Sequence, residues 1–219
     1  MATSDVVICN LALSHIGSDA VLSSINPPDG SVESGYCARY YPVARQELIE
    51  MHAWGFAKTR VALAALSVNP SATWTYAYEA PSDMIQSQRI LTTSTLDAYG
   101  FFPFGGLLRA DEVALFSERG SANFDIEDGV VLTHEPDAVL LYTHDVIDTS
   151  KFTAGFTSAL SFLVASYLAG PLIKGAEGTN AALKMRQVAE RKAAQAAAND
   201  ANSSVESSGH VPEHIRRRA

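Results

Sequence analysis

Charged residues are scarce in this sequence. Only 18% of its 219 residues are Asp, Glu, Lys or Arg, whereas 47% are apolar. A low charge fraction leaves more of the surface neutral, as expected where much of the surface contacts partner proteins. The length suffices for one well-filled domain, or for one domain with appendages.

Cysteine is also rare, because only Cys9 and Cys37 are present. Neither has a partner at CxxC or CxxxH spacing, and both fall on apolar helix faces. We therefore expect buried, reduced thiols in a cytosolic setting. Ser4 and Asp5 stand where a secretory signal has its basic region, so we expect no such signal.

The usual catalytic motifs are missing, since the sequence contains no GxSxG, P-loop or HExxH pattern. Acidic residues cluster at 125–128, but they surround a turn, where acids are ordinary. His134, His144 and Asp145 form a plausible metal set if neighbouring strands bring them together. We predict a protein that is not an enzyme and has no cofactor and no metal, with that set as the alternative.

The net charge of −8 is distributed unevenly. Residues 1–183 carry nine basic and 20 acidic side chains, a net of −11, whereas residues 184–219 carry seven and four, a net of +3. An acidic body with a basic end suggests two surfaces with different partners. A merely solvated basic end is the other interpretation.

The stretch 31–53 has the clearest helical pattern. One apolar stripe recurs at steps of four and three residues: Cys37, Tyr41, Ala44, Leu48 and Met51. Pro42 cannot donate to the Ala38 carbonyl, so we expect a kink or a restart there. Two large rings around a glycine follow the helix. We predict four core anchors: Tyr41, Leu48, Trp54 and Phe56.

Three further helices are expected. Ser4 is a good N-cap and Gly17 a good C-terminal glycine for a helix over 4–17. Residues 153–170 lie in an uncharged run that Gly170-Pro171 ends, leaving roughly 27 Å of helix against a hydrocarbon core of about 30 Å. We expect a buried helix there, with a membrane span as the alternative. Alanine content predicts a helix over 179–199.

A β-rich insertion is predicted over about 72–146. Trp74–Tyr78 alternates aromatic and small residues, Asp128-Gly129 has the chemistry of a type I′ hairpin turn, and Val139–Val146 is a further strand. We expect one small antiparallel sheet of three to four strands. Residues 84–122 are not readable, and their apolar stretch 98–108 is either an interaction patch or a loop over the core.

These elements predict an α+β fold: a helical bundle with a small antiparallel β domain and a long C-terminal helix. Residues 1–199 form the main domain. Residues 200–219 are expected to be a flexible tail, because the Ser- and Asn-rich segment 200–209 cannot bury enough apolar surface.

The order of several short motifs resembles phage head-to-tail connector adaptors of the tail tubular protein A family. Two segments depart from the family pattern, Met84-Ile85-Gln86 and the apolar loop 98–108. The resemblance covers about residues 4–190. It depends on these pieces: Ile8-Cys-Asn-Leu-Ala-Leu-Ser-His-Ile-Gly17, Cys37-Ala-Arg-Tyr-Tyr-Pro-Val-Ala-Arg45, Trp54-Gly-Phe-Ala57, Tyr76-Ala-Tyr78 with Pro81-Ser-Asp83, Leu141-Tyr142, and Asp148, Phe152, Phe156 and Ala159-Leu160.

This resemblance implies a structural virion protein rather than an enzyme. Such adaptors form a homo-oligomeric, usually dodecameric ring beneath the portal protein, extend the DNA channel used for ejection, and provide a platform for the tail. The implied tail partners are a nozzle of the tail tubular protein B type or tail fibre proteins. The implied location is the virion neck, after assembly in the host cytoplasm, with no membrane. An acidic body suits a channel through which DNA slides without specific binding.

The family's C-terminal segments typically dock on the portal. The C-terminal segment of this chain combines apolar anchors with arginines that can pair with carboxylates. We therefore predict portal contacts from these residues: Val211, Pro212, His214, Ile215, Arg216, Arg217 and Arg218. The alternatives for the tail are a solvated terminus or an arm that touches DNA. The alternatives for the whole chain are a tail-associated peptidoglycan hydrolase and a membrane-associated helical protein.

Overall fold

The chain has an α+β fold, as predicted, and divides into two compact units. A computed structural model describes residues 4–91 and 121–203. The helical unit contains the described residues up to Phe56 and from Ile147 onward, and the β-unit spans Ala57–Val146. The β-unit is therefore an insertion between two halves of a helical bundle. The β-unit begins at Ala57, whereas the sequence predicted a start near residue 72.

One central helix organises the helical unit. Its four helices are α1 (Asp5–His15), α2 (Val32–Glu50), α3 (Ala154–Ile173) and α4 (Gly175–Ser203). The central helix α3 packs against each of the other three. Its buried residues are Phe156, Ala159, Leu160, Ser161, Leu163, Val164, Ala165, Leu168 and Ala169.

The ends of α1 follow from local sequence. The Ser4 hydroxyl accepts a hydrogen bond from the Val7 amide at 3.2 Å, which satisfies an otherwise unpaired donor of the first turn. Gly17 adopts a φ of +78°, which only glycine adopts without strain. The amides of Gly17 and Ser18 then donate back to the carbonyls of Ser14 and Leu13. These two bonds form the Schellman pattern of a glycine-terminated helix.

Prolines interrupt the helices less than their chemistry suggests. α2 continues through Pro42 without the predicted restart, and α3 continues through Pro171 to Ile173. Pro171 stands in the last turn of α3, so it removes few helical bonds, and the next turn still forms because the Lys174 amide donates to the Gly170 carbonyl at 3.1 Å. The predicted end of this helix at residue 170 was wrong.

The last helix is longer than predicted. α4 starts at Gly175 and runs to Ser203, so its first turns include residues that had been expected to form a break. Residues 200–203, which the sequence had placed in the flexible tail, are helical. The break between α3 and α4 is limited to Lys174, whose φ is +62°.

The β-unit contains two antiparallel sheets rather than the single sheet that we predicted. Strands β1 (Lys58–Ala62), β7 (Val139–His144), β3 (Met84–Leu91) and β4 (Ser121–Ala122) lie in that order in one sheet. The other sheet has the order β2 (Tyr76–Glu79), β6 (Val130–Thr133) and β5 (Phe124–Glu127). The sequence missed β1, whose partner β7 lies about 80 residues away and gives no local signal.

The hairpin between β5 and β6 is the one predicted. Asp128 and Gly129 have φ values of +47° and +75°, as a type I′ turn requires at both central positions. Side chains of both sheets meet in one core formed by Tyr78, Ile90, Val131, Ala138, Leu140 and Tyr142.

Candidate functional site

Trp54 lies at the centre of an aromatic cluster in the helical unit. Its side chain is fully buried, and its indole Nε1 donates to the Leu48 carbonyl at 2.8 Å, a group that the end of α2 leaves unpaired. Its ring meets Phe156 edge to face, with 5.0 Å between centroids. Phe56 and Phe152 pack on the same Phe156 ring, at 5.0 and 4.7 Å. The cluster fixes the chain where it leaves α2.

The four sequence-predicted core anchors differ in burial. Trp54, Leu48 and Tyr41 are 0%, 1% and 4% exposed. Phe56 is only partly buried, so it forms the edge of the cluster rather than its centre. Met51, predicted on the same stripe as Leu48, is 45% exposed. It caps the C-terminus of α2, where the helix no longer faces the core.

Asp200 attaches the end of α4 to the end of α2. Its Oδ2 accepts a hydrogen bond from the Gly55 amide at 2.9 Å and lies 3.5 Å from Nε2 of His52. The His52 ring in turn contacts Trp54 edge to face at 5.1 Å. These contacts hold the C-terminal end of α4 against the residues that follow α2.

A partly buried polar cluster of Glu47, Tyr167 and Arg186 joins α2, α3 and α4. Tyr167 donates to Glu47 at 2.6 Å, and Arg186 donates to the other carboxylate oxygen at 2.5 Å. The hydrogen bond to Glu47 raises the pKa of Tyr167, and the same carboxylate raises the pKa of Arg186. Tyr40 stacks on Tyr167 at 5.6 Å. Partly buried tyrosines and arginines of this kind are typical of protein interfaces.

A groove of about 540 Å³ opens elsewhere in the helical unit. Its lining includes the buried side chain of Arg45 and the acidic side chains of Asp5 and Asp148. A hydrogen bond from the Ser150 hydroxyl lowers the pKa of Asp148. The remaining lining is formed by Ile25, Asn26, Pro28, Ala38, Tyr41, Pro42, Ile147 and Thr149.

A serine and a histidine meet where α1 packs on α3. Nε2 of His15 lies 3.1 Å from the Ser161 hydroxyl, and its ring stacks on Phe162 at 3.8 Å. Burial and then the nearby Lys192 ammonium lower the pKa of His15. Ser161 is only 2% exposed and donates to the Ser158 carbonyl, so its hydroxyl serves helix packing and is not presented to a substrate.

The proposed histidine set is not assembled. His134 follows β6, where Nδ1 contacts the Thr75 hydroxyl at 2.9 Å and the ring packs on Trp74. His144 ends β7 in the other sheet, and its Nδ1 contacts the Ala57 carbonyl at 2.8 Å. Within residues 4–91 and 121–203, no three His, Cys, Asp or Glu side chains form a group that could hold a metal ion.

The two cysteines contact each other between α1 and α2, a feature that the sequence did not indicate. Both are fully buried free thiols. The hydrogen bond that Cys9 donates to Cys37 raises the pKa of Cys9 and lowers that of Cys37. Helical spacing places each on a buried face, but only the packing angle of the helices shows that those faces meet.

α3 is long and apolar enough to cross a membrane by length and composition alone. However, 61% of its most apolar window is buried by the rest of the protein. A core helix of a water-soluble bundle has the same properties. The predicted portal-binding residues 211–218 and the apolar stretch 98–108 lie outside the described residues.

Searches with protein-family models and against curated proteins find no match to this chain.

Proposed function

We propose that this chain is a structural adaptor of a phage head-to-tail connector, which forms a ring beneath the portal and provides a platform for the tail. The observation that carries the proposal is the order of its parts. Two helices lead to the Trp54-Gly-Phe-Ala57 motif, a β-unit follows, and the chain then returns to the bundle at Phe152 and Phe156. The adaptors that the sequence resembles combine a helical bundle with a small β domain.

The positions of the resembling residues support this proposal. Trp54 and Phe156 contact each other, although about 100 residues separate them in the chain. Tyr142 of the Leu141-Tyr142 motif donates to Asp83 of the Pro-Ser-Asp motif at 2.9 Å. Separate motifs of the resemblance thus form contacts with one another within each unit, as expected if they define one fold.

Surface composition supports a role in assembly. Several large apolar side chains of the helical unit are 41–66% exposed, and a subunit contact would remove their apolar surface from water. They include Val7, Leu11, Val32, Val43 and Leu183. Val7 and Leu11 lie one turn apart on α1, whose buried residues are Ile8, Cys9, Ala12 and Leu13.

Co-expression with the portal protein of the same phage tests the proposal. We expect a complex in which negative-stain images show a ring of this chain coaxial with the portal ring. The matched control is the portal expressed with a variant that lacks residues 210–219. Absence of any complex with the full-length chain contradicts the adaptor function.

Two inexpensive assays address the other functions. A peptidoglycan hydrolase would release soluble fragments from purified cell walls, and a membrane protein would partition into detergent. The buried face of α3 favours a protein that stays in the aqueous phase. A positive result in either assay would replace the adaptor proposal.

A further inference from the structure

Two strands of the β-unit, β1 and β5, each have a neighbouring strand on one side only among the described residues. β1 pairs with β7, and β5 pairs with β6. The other two sheet edges offer less, because β4 has two residues and the Leu66 amide already donates to the Ala77 carbonyl of β2 at 2.8 Å. The edge of β1 has five residues and that of β5 has four, enough to bond a further strand.

These two edges lie on opposite sides of the β-unit. The chain passes directly from β1 to the edge of the other sheet, because Leu63 bonds Ala138 beside β7 whereas Ala64 accepts from the Glu79 amide of β2. Only Asn123 separates β4 from β5. β1 therefore lies beside β2 at one side of the two sheets, and β5 lies beside β4 at the other side. A contact between β1 of one copy and β5 of another repeats head to tail.

The two edges carry opposite charges at the same spacing. Lys58 and Arg60 are exposed at alternate positions of β1, and Asp125 and Glu127 are exposed at alternate positions of β5. Lysine on an edge strand usually prevents pairing with another chain. Carboxylates at the same spacing on the incoming strand change that outcome, because opposite charges across neighbouring strands stabilise a sheet.

The backbone of β1 directs alternate residues toward β7. Leu63 stands opposite Ala138 in the register of the β1–β7 pairs, and its amide donates to the Ala138 carbonyl at 2.9 Å. Hydrogen-bonding residues alternate along an antiparallel strand, so the residues two and four positions before Leu63 also bond β7. Lys58 and Arg60 therefore direct their backbone N–H and C=O groups to the open edge.

The backbone of β5 alternates in the same way. A two-residue turn joins Glu127 to Val130, which stand opposite each other. In such a turn the Glu127 carbonyl accepts from the Val130 amide, so Glu127 and Asp125 bond β6. Phe124 and Ile126 therefore direct their backbone groups to the open edge.

Only a parallel pair brings the opposite charges together. In an antiparallel pair, two residues that direct their groups outward stand opposite each other, which would place Lys58 against Ile126. In a parallel pair, such a residue stands opposite one whose groups point the other way. Lys58 then faces Asp125. Two residues further on, Arg60 faces Glu127 on the same side of the sheet.

We propose that β1 of one copy pairs in parallel with β5 of a second copy, with Lys58 opposite Asp125. The contact joins two different surfaces, so it adds copies head to tail and gives a ring when the rotation between copies closes. This inference rests on the proposed function, because it supplies the contact between subunits of the proposed ring.

Cysteine cross-linking tests the proposal. Lys58→Cys and Asp125→Cys are purified separately, mixed with and without the portal protein, and oxidised with diamide. Opposite residues of neighbouring strands lie about 5 Å apart at Cα, within the range of a disulfide. We expect a disulfide-linked dimer in the mixture and none in either protein alone. Glu127→Cys, an exposed position on the same side of β5, is the matched control and should not cross-link to Lys58→Cys.

A charge swap provides a second measurement. Lys58→Glu should reduce the assembled fraction in sedimentation velocity, and Lys58→Glu combined with Asp125→Lys in one chain should restore it, because the two residues meet between copies. Failure of the swap to restore assembly overturns the proposal.

The results separate this contact from the adaptor function. A portal-bound ring without the cross-link overturns the contact between β1 and β5 and leaves the adaptor function standing. A cross-linked dimer that does not bind the portal supports the contact and contradicts the adaptor function. Absence of the dimer both with and without the portal overturns the contact.

Discussion

Gly155 of α3 lies against Ala196 of α4 so closely that a methyl group added to Gly155 would stand 2.8 Å from the Ala196 Cβ. Real Cβ atoms do not approach other carbons to that distance. Further along, a methyl group on Gly178 would lie 3.0 Å from the Ala169 carbonyl oxygen. The close packing of α3 on α4 therefore depends on positions that have no side chain.

Gly155→Ala should lower the stability of the helical unit, because overpacking typically costs about 1–3 kcal/mol. Gly35→Ala in α2 is the matched control: an added methyl group there meets nothing within 4 Å, and no proline follows it. That control should raise stability by up to about 1 kcal/mol through helix propensity. Thermal unfolding of both variants measures the difference.

A substitution at Ala196 tests whether the contact with Ala196 causes the loss of stability in Gly155→Ala. Replacing Ala196 by glycine removes the opposing methyl group but costs about 1 kcal/mol in helix propensity, so the test is a double-mutant cycle: Gly155→Ala should cost less in the Ala196→Gly background than in the unaltered chain. Equal melting temperatures for Gly155→Ala and Gly35→Ala would show that α3 and α4 are not in this contact.

The sequence predicted the parts of the fold that depend on interactions between residues close together in the chain. Ser4 and Gly17 define α1, and Asp128-Gly129 defines the hairpin, because capping and turn residues act within a few positions. The stripe of Cys37, Tyr41 and Leu48 likewise showed which face of α2 is buried.

The features that the sequence did not reveal depend on packing between distant parts of the chain. β1 pairs with β7 far along the chain, so the existence of two sheets could not be read from alternation in any one strand. Pro171 was expected to end α3, yet the helix continues because its neighbours Leu168 and Ala169 are buried in the bundle. The contact of Cys9 with Cys37 also required the packed helices.

Trp54→Ala should be among the most damaging single changes in the helical unit. It removes a fully buried ring and leaves the Leu48 carbonyl without the indole donor. Truncating a buried aromatic costs about 3–5 kcal/mol, which lowers the melting temperature of a chain of this size by on the order of 10 °C. Trp74→Ala, in a partly buried position of the β-unit, is the control and should cost less.

Thermal denaturation, followed by circular dichroism, distinguishes the two tryptophans. An unchanged melting temperature for Trp54→Ala would mean that the aromatic cluster does not hold the bundle together.

His15 should make the helical unit less stable in acid. Burial lowers the pKa of His15 in the folded chain below its usual value, so between the two pKa values the unfolded chain binds more protons. Stability is therefore fully present above about pH 6.5 and is lost as the pH falls through the lower, folded-state pKa. His15→Gln retains hydrogen-bonding capacity toward Ser161 but does not titrate.

The measurement is the melting temperature of both proteins from about pH 7.5 to about pH 5. The unaltered chain should lose more stability over that range than His15→Gln does. Parallel curves would show that His15 does not contribute to the acid sensitivity.

Deleting residues 210–219 should abolish portal attachment without unfolding the chain. The buried core residues that the structure describes all precede residue 204, and we expect the melting temperature to stay nearly unchanged. The deletion removes Val211 and Ile215 together with three arginines, and the arginines can pair bidentately with carboxylates of a partner. Around a ring, many such weak segments act together.

Three results separate the possible roles of the tail. Docking through the arginines requires two observations. The deletion abolishes co-purification with the portal, and attachment of the full chain weakens as salt rises. Equal attachment by the truncated and full chains excludes that docking. The third result is that the full chain, but not the truncated one, binds free DNA with a steep salt dependence. Releasing counterions from phosphates produces that dependence, so this result would identify the tail as an arm that contacts the genome.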